Sequence, residues 1–307
     1  MAARRRRTQR CLPAGFLNVY KPPGVTSHDV VDFLRLMTGD QRVGHCGTLD
    51  PRAEGVLPLA IGAATRLAEH LSASRKSYLA RALLDRRTDT GDLDGQTIEL
   101  FEGPKLETRD VQLSLGRFLG PITQRVPSYA SVRIGGERLY EKARRGEAFE
   151  RPSREVHIFE LSLLSFEWPR LELHVVCSKG TYVRQLVEDL GASLGVGGAL
   201  AGLVRTSVGA LPVEESLPLG VLAGAWILDQ LTLRLVPWEQ AMPEVPVLVL
   251  TDRLSSVRLG QGAALPVQAF TGPTVRSGPV LVMDGSSVPL ALCDADGTHV
   301  RPRKVLA

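Results

Sequence analysis

The chain has 307 residues, 44% of them hydrophobic, and it carries a formal net charge of +4 with a sequence pI near 9.0. This length suits one large domain or a large and a small one, and no run of about 18 uncharged apolar residues offers a membrane span. The four cysteines lie far apart without C-x-x-C spacing and the six histidines include no H-x-x-x-H pair, so the sequence predicts neither a disulfide framework nor a metal site.

The first residues, MAARRRRTQR, are a run of like charges with little to bury. This run predicts a disordered basic arm, and the absence of an apolar stretch after the arginines argues against a secretory signal. The arm is either a phosphate-seeking tail or a solvated terminus. The mildly basic balance of the whole chain fits an RNA partner, although many other enzymes are as basic.

Residues 16–20 alternate like a β-strand, and Lys21-Pro22-Pro23-Gly24 then turns the chain. Ser27 is predicted to be the N-cap of the helix that follows. The apolar face of this helix is predicted to carry Val30, Val31, Leu34 and Met37.

The next stretch, VGHCGTLDPRAEGVLPL from Val43 to Leu59, places the carboxylate of Asp50 between Leu49 and Pro51. Proline fixes its own φ and restricts the residue before it, and glycines permit close backbone approaches. These residues predict a loop that holds the carboxylate in position. The alternative is an ordinary tight turn with an Asx-type hydrogen bond, for which Asp-Pro is common.

An acidic cluster, DRRTDTGDLDG, runs from Asp85 to Gly95. An EF-hand with Gly95 at loop position six would have Thr90 at position one and Phe101 at position twelve, where acidic ligands are needed. The sequence therefore argues against calcium. A metal-dependent nuclease using this cluster stays open as an alternative, and it would require a divalent ion.

Residues 105–150 are predicted to contain a charged amphipathic helix and then a basic face. That face is suited to phosphates, and a solvated helix surface is the competing interpretation. Its members are Arg133, Arg138, Arg144 and Arg145.

Residues 171–177, LELHVVC, alternate cleanly and predict a strand with its odd-numbered residues facing inward. A helix is predicted to start near Thr181, with its apolar face formed by Val183, Leu186, Val187 and Leu190. Arg184 would then lie in the first helical turn. Because the macrodipole disfavours a cation there, this position favours a role in a site.

From Trp238 to Pro246 the sequence resembles a linker, and short β-like runs broken by Gly and Pro follow from Val247 onward. These runs predict a small β-rich domain at the C-terminal end.

Several motifs resemble those of the TruB family of pseudouridine synthases, which convert one uridine in the T-loop of transfer RNA to pseudouridine. The longest is the loop around Asp50, which fits the family pattern G-H-x-G-T/A-L-D-P-x-A-x-G-V/M-L-P. Departures from the family are Arg133 in place of a lysine and Asp85 in place of a glycine. The shorter matches are K-P-x-G-x-T/S-S from Lys21, K-x-Y ending at Tyr78, C-S-K-G-T-Y-I/V-R ending at Arg184, and the stretches 88–95, 126–146 and 203–209.

The resemblance implies that Asp50 is the catalytic residue, that Arg184 pairs with it, and that Tyr78 packs on the target base. It also implies a second set of residues that bind the RNA or line the substrate pocket. This set comprises His45, Tyr182, Leu203, Lys21 and Arg133.

The fold that the resemblance implies is α+β: a pseudouridine synthase fold with a mixed central β-sheet and flanking helices, plus a small C-terminal β-rich domain similar to the PUA type. We predict three parts: a basic arm over 1–14, a catalytic domain over 15–240 and an RNA-binding domain over 241–307.

The predicted activity is the isomerisation of uridine 55 in the T-loop of transfer RNA, without cofactor or metal. We expect the partner to be the T-arm stem-loop, the protein to be a cytoplasmic monomer, and no membrane to be involved. Two further alternatives stay open: a pseudouridine synthase acting on ribosomal RNA, and an RNA-binding or RNA-folding protein without catalysis.

Overall fold

The computed structural model describes residues 12–103, 105–130, 132–147 and 149–306. The predicted basic arm therefore lies almost wholly outside the described residues. No helix within these ranges is long and apolar enough to cross a membrane.

Strands and helices are interspersed along the residues that the structure describes. The strands are β1 (Gly15–Lys21), β2 (Val43–His45), β3 (Glu54–Ile61), β4 (Lys76–Leu83), β5 (Arg86–Thr88), β6 (Thr97–Leu100), β7 (Gly120–Arg125), β8 (Arg133–Ile134), β9 (Glu137–Arg138), β10 (Ser153–Glu167), β11 (Arg170–Cys177), β12 (Ala199–Val208), β13 (Leu211–Pro212), β14 (Leu217–Pro218), β15 (Val247–Leu250), β16 (Leu265–Pro266), β17 (Gly278–Asp284), β18 (Pro289–Ala295) and β19 (His299–Val305). The α-helices are α1 (Ser27–Thr38), α2 (Ala68–Ala73), α3 (Thr108–Leu115), α4 (Leu139–Arg144), α5 (Val183–Ser193), α6 (Leu219–Ile227), α7 (Trp238–Ala241) and α8 (Arg253–Gly260).

The chain forms two compact units. The first unit is discontinuous in sequence and comprises residues 12–51, 56–72 and 208–306. The second unit comprises residues 52–55 and 73–207. The predicted division into an arm, a catalytic domain and an RNA-binding domain stays a prediction.

In the first unit, β1 pairs with β14 in parallel and β2 pairs with β3 antiparallel. The C-terminal part forms a five-stranded sheet in the order β15–β17–β18–β19–β16, as expected for a β-rich segment. One apolar core contains side chains from the start of the unit and from this sheet, including Phe16, Leu67, Trp238, Leu292 and Leu306. Residues far apart in sequence therefore share a core.

The last strand of the first unit is tied to α2 and to the 3-10 turn that precedes it. The Nζ of Lys304 donates to Oε1 of Glu69 at 2.6 Å and to the carbonyl of Arg66 at 2.9 Å. The guanidinium of Arg66 in turn donates to the carbonyl of Val305. These polar contacts flank the apolar core to which Leu306 contributes.

The second unit is built on strands in the order β12–β4–β11–β10–β7. In β11, Leu171, Leu173, Val175 and Cys177 are all buried, as the sequence predicts. The apolar face of α5 is also confirmed, and α5 begins at Val183, directly after its N-cap Tyr182. Parallel and antiparallel pairing together with helices gives an α+β architecture, so the predicted fold class is confirmed.

The N-cap of α1 differs from the prediction. Thr26, not Ser27, is the N-cap, and it forms a capping box with Asp29. The Thr26 hydroxyl accepts from the Asp29 amide at 3.1 Å, and the Asp29 carboxylate accepts from the Thr26 amide at 2.7 Å. Because Thr26 and Asp29 satisfy these amides, the hydroxyl of Ser27 is available for another partner.

Gly55 lies where β3 meets β12 in the second unit. It is paired with Arg205 in parallel register, and its φ is +101°. A Cβ at this position would lie 2.3 Å from the carbonyl oxygen of Arg205. Because both the backbone conformation and the lack of space exclude a side chain, the junction requires glycine.

Candidate active site

The backbone on the N-terminal side of Asp50 is held by Ser27. The Ser27 hydroxyl accepts from the amide of Leu49 at 2.8 Å and donates to the carbonyl of the same residue at 3.1 Å. Ser27 and Leu49 are both buried, whereas Asp50 is exposed. One side chain thus satisfies both backbone polar groups of the buried Leu49, next to the exposed carboxylate.

The backbone on the C-terminal side of Asp50 is held by Lys21. This lysine is fully buried, and its Nζ donates to the carbonyls of Pro51, Pro22 and Val25 at 2.9, 2.9 and 2.7 Å. The amide of Gly24 also donates to the Pro51 carbonyl, at 2.9 Å. The buried amino group of Lys21 and the amide of Gly24 therefore fix the residue after Asp50.

We expect Ser27→Ala to slow catalysis more than it destabilises the fold. Losing both hydrogen bonds to Leu49 should lower the free energy of unfolding by about 1–3 kcal/mol. A small displacement of the Asp50 loop should lower turnover by about 100-fold. Turnover at saturating RNA and the thermal unfolding midpoint would be measured together.

The matched control for Ser27→Ala is Thr26→Ala. This change removes the N-cap at a cost of about 1 kcal/mol and leaves the bonds between Ser27 and Leu49 in place. If both variants lose turnover equally, the Ser27 contact has no special effect on the loop.

His45, predicted to hold the RNA loop, is the last residue of β2. It pairs with Leu59 in the antiparallel ladder with β3, and it is half-buried. The next residue, Cys46, donates its amide to the carbonyl of Pro58 at 2.8 Å. His45 therefore lies on a short, well-anchored strand at the start of the Asp50 loop.

Arg184 lies in the first turn of α5 and is almost completely buried. Its guanidinium donates to the carbonyls of Thr90 and Tyr129 at 3.1 and 3.2 Å. It also faces Oδ2 of Asp92 at 3.4 Å. These acceptors offset the unfavourable position of a cation at a helix N-terminus. The pairing of Arg184 with Asp50 stays a prediction.

Asp92 is a positioning residue that the sequence analysis did not identify. Its Oδ1 accepts from the hydroxyl of Thr90 at 2.6 Å and from the amide of Asp94 at 3.1 Å, while Oδ2 faces Arg184. The acidic cluster therefore orients an arginine. Among the described residues, no group of three or more His, Cys, Asp or Glu side chains is arranged to hold a metal ion.

Tyr182 is held by Gln124, a second residue that the sequence analysis did not identify. The fully buried Gln124 accepts from the Tyr182 amide at 3.0 Å and donates to its carbonyl at 3.2 Å. The Tyr182 ring packs against a small apolar cluster formed by Val126, Ala130 and Leu139. Like Ser27 at Leu49, Gln124 fixes a backbone unit from both sides.

Tyr78 and Leu203 lie on neighbouring strands of the second unit. Tyr78 is on β4, opposite Val175 of β11, and only 7% of its surface is exposed. Leu203 is on β12 and is half-buried. Close by on β11, burial raises the pKa of the Cys177 thiol to about 11, so this cysteine is a neutral thiol near pH 7 and a poor nucleophile.

Arg133, predicted to bind RNA, begins β8 and pairs with Arg138 of β9 in a short hairpin. Arg145 belongs to the same predicted basic face. Its guanidinium nitrogens lie 2.9 and 2.5 Å from carboxylate oxygens of Glu137 and Glu147. Arg145 thus has its charge balanced by two carboxylates.

Residues 35–183 match the family model that is described as "TruB family pseudouridylate synthase (N terminal domain)". The chain is 39% identical to the tRNA pseudouridine synthase B of Moorella thermoacetica over 304 residues. This aligned region covers 95% of this chain and 99% of that relative. The chain belongs to the TruB family. It is also 40% identical over 298 residues to the tRNA pseudouridine synthase B of Synechocystis sp., covering 95% of this chain and 99% of that relative. The predicted family resemblance is confirmed.

Solved structures agree with membership of the TruB family. The chain is similar to one in an H/ACA RNP bound to a substrate RNA containing 2′-deoxyuridine, with a TM-score of 0.73 and 25% identity over 95% of this chain and 85% of that one. It is equally similar to a chain of a Cbf5-Nop10-Gar1 complex, with a TM-score of 0.73 and 26% identity over the same shares. The predicted pseudouridine synthase fold is confirmed.

Proposed function

We propose that this TruB-family protein isomerises uridine 55 in the T-loop of transfer RNA to pseudouridine, with Asp50 as the catalytic carboxylate. The observation that carries the assignment of Asp50 is the fixation of its loop. Ser27 holds Leu49 on one side, and Lys21 and Gly24 hold Pro51 on the other. An exposed carboxylate on a backbone fixed from both sides is preorganised for chemistry on a bound substrate.

The reaction breaks the bond between N1 of uracil and C1′ of the ribose, and it joins C5 of the same base to C1′. The base loses the proton on C5 and gains one on N1, so no atom is gained or lost and no electrons are exchanged with a cofactor. One carboxylate is sufficient if it acts covalently or stabilises the sugar centre. Asp50 has this role in our proposal.

The other candidate residues have supporting roles. A uridine inside a structured loop must be extruded before it can react, and we assign Tyr78 to pack on the extruded base. We assign Arg184 to pair with Asp50 and orient its carboxylate, as charge-assisted hydrogen bonds do. We assign the RNA and pocket contacts to His45, Tyr182, Leu203 and Arg133, and the support of the loop to Lys21.

We further propose that the protein acts as a monomer in the cytoplasm on the T-arm of transfer RNA. The C-terminal five-stranded sheet is assigned to RNA binding. Cys177 and Cys293 are buried free thiols, which fits a reducing compartment.

The proposed function is tested by incubating the full chain with unmodified transfer RNA in EDTA and measuring pseudouridine at each uridine. We expect conversion of the single T-loop uridine and of no other. Unmodified ribosomal RNA in a parallel reaction is the specificity control.

Each other outcome contradicts part of the proposal. Conversion only in ribosomal RNA keeps the chemistry and excludes the proposed substrate. Tight binding without conversion places the protein among RNA-binding proteins. Activity that requires a divalent ion contradicts the metal-free mechanism.

A further inference from the structure

Three side chains form a stack in the second unit, beside the start of β4. The ring centroids of His157 and Phe159 lie 4.5 Å apart with an angle of 30° between the ring planes. The guanidinium carbon of Arg75 lies 3.8 Å from the centroid of the Phe159 ring. Phe159 thus interacts with both an imidazole ring and a cation.

The strand register explains why residues distant in sequence meet here. Cys177 of β11 pairs with Ile158 of β10 and with Lys76 of β4. The next row therefore brings together His157, Ser178 and Arg75, and His157 and Ser178 exchange hydrogen bonds of 2.9 Å. Phe159 lies in a register shift between Ile158 and Glu160. A bulge of this kind bends the strand and changes the direction in which a side chain points.

Two cations beside the stack have no carboxylate partner among the residues that the structure describes. Arg75 and Lys179, the residue after Ser178, are exposed, and neither lies within 4.0 Å of a carboxylate oxygen among the described residues. Two arginines of the second unit offer a comparison, because Arg81 is paired with Glu172 at 3.0 Å and Arg87 with Glu99 at 3.1 Å. Glu155, two residues before His157, is exposed, and its carboxylate forms no ion pair with another residue that the structure describes.

We propose that this surface, which we name the Arg75 platform (Arg75, His157, Phe159 and Lys179), binds a nucleotide of the substrate RNA. One base of the RNA stacks against the half-buried pair of His157 and Phe159, and its phosphate contacts Arg75 and Lys179. Flat rings beside unneutralised cations match the two features of an unpaired nucleotide, a π-face and a phosphate. This inference rests on the proposed function, since it takes an RNA as the substrate.

The test measures the affinity of the full chain for unmodified transfer RNA at several salt concentrations, in an Asp50→Asn background that prevents turnover. We expect Phe159→Ala to weaken binding about tenfold, as for the loss of one stacked base. Arg75→Ala should weaken binding similarly and reduce the slope of log affinity against log salt by about 1. Phe159→Tyr should restore the affinity, because it keeps the ring.

The matched control is Arg81→Ala, which removes the same charge from an arginine paired with Glu172 and should leave the affinity unchanged. The proposal is contradicted if Phe159→Ala and Arg75→Ala bind transfer RNA with the same affinity as Arg81→Ala. It is also wrong if Phe159→Tyr binds as weakly as Phe159→Ala while melting like the wild type. Conversion by the wild type is measured separately, so failure of the proposed function is distinguished from failure of the platform.

Discussion

Asp50→Asn is expected to abolish pseudouridine formation while transfer RNA still binds with near wild-type affinity. Asparagine has the same shape as aspartate but cannot act as a carboxylate toward the sugar, so the rate should fall by at least about four orders of magnitude. Asp50 is exposed, and its backbone neighbours are held by Ser27 and Lys21, so the fold should tolerate the change. Pseudouridine at each uridine, the dissociation constant for RNA and the melting temperature would be measured on one preparation.

The control for Asp50→Asn is Asp32→Asn, which makes the same charge change at a partly exposed position on α1 that contacts Arg35 at 3.1 Å. This variant should convert transfer RNA at the wild-type rate. If Asp50→Asn loses affinity for RNA as strongly as it loses turnover, Asp50 has a structural or binding role and the catalytic assignment is wrong.

Arg184→Met is expected to have the next largest effect, on stability and turnover together. Methionine fills part of the space but leaves the carbonyls of Thr90 and Tyr129 and the carboxylate of Asp92 without this donor. We expect the free energy of unfolding to fall by about 3 kcal/mol, at the low end for a broken buried pair because Asp92 is partly exposed. Turnover should fall at least about 100-fold if Arg184 orients Asp50.

A double-mutant cycle with Asp92→Asn measures how strongly Arg184 and Asp92 are coupled. Arg81→Met is the matched control, because its ion pair with Glu172 is largely exposed and should contribute less than about 1 kcal/mol. A loss of stability in Arg184→Met no larger than in Arg81→Met would mean that the contacts of Arg184 do not stabilise the second unit.

Local periodicity is sufficient to predict the helix that carries Arg184 and the strand that precedes it. The alternation in β11 and the helical spacing in α5 reflect one buried face each, and burial of that face is a local property of the sequence. Thr26 and Ser27 stand side by side at the start of α1, and the hydroxyl of either residue suits an N-cap. Asp29, three residues after Thr26, is the capping-box signal that identifies the correct one.

The contacts that position the candidate site could not be predicted in the same way. Gln124 meets Tyr182 across 58 residues of chain, and Arg184 meets Thr90 across 94. Such pairs depend on strand order and register, which hydrophobic periodicity does not specify. The contact of Asp92 with Arg184 is of this kind, since it joins residues 92 positions apart in the chain.

The discontinuous first unit has a consequence for the order in which the chain can fold during synthesis. The second unit is complete once residue 207 has left the ribosome, whereas the core that contains Phe16 also requires Leu292 and Leu306. Until Lys304 reaches Glu69, the N-terminal segment that carries Lys21 and Asp50 lacks part of its packing. We therefore expect the nascent chain to fold from its middle outward, against the usual N-terminal-first order, with the Asp50 loop among the last parts to be completed.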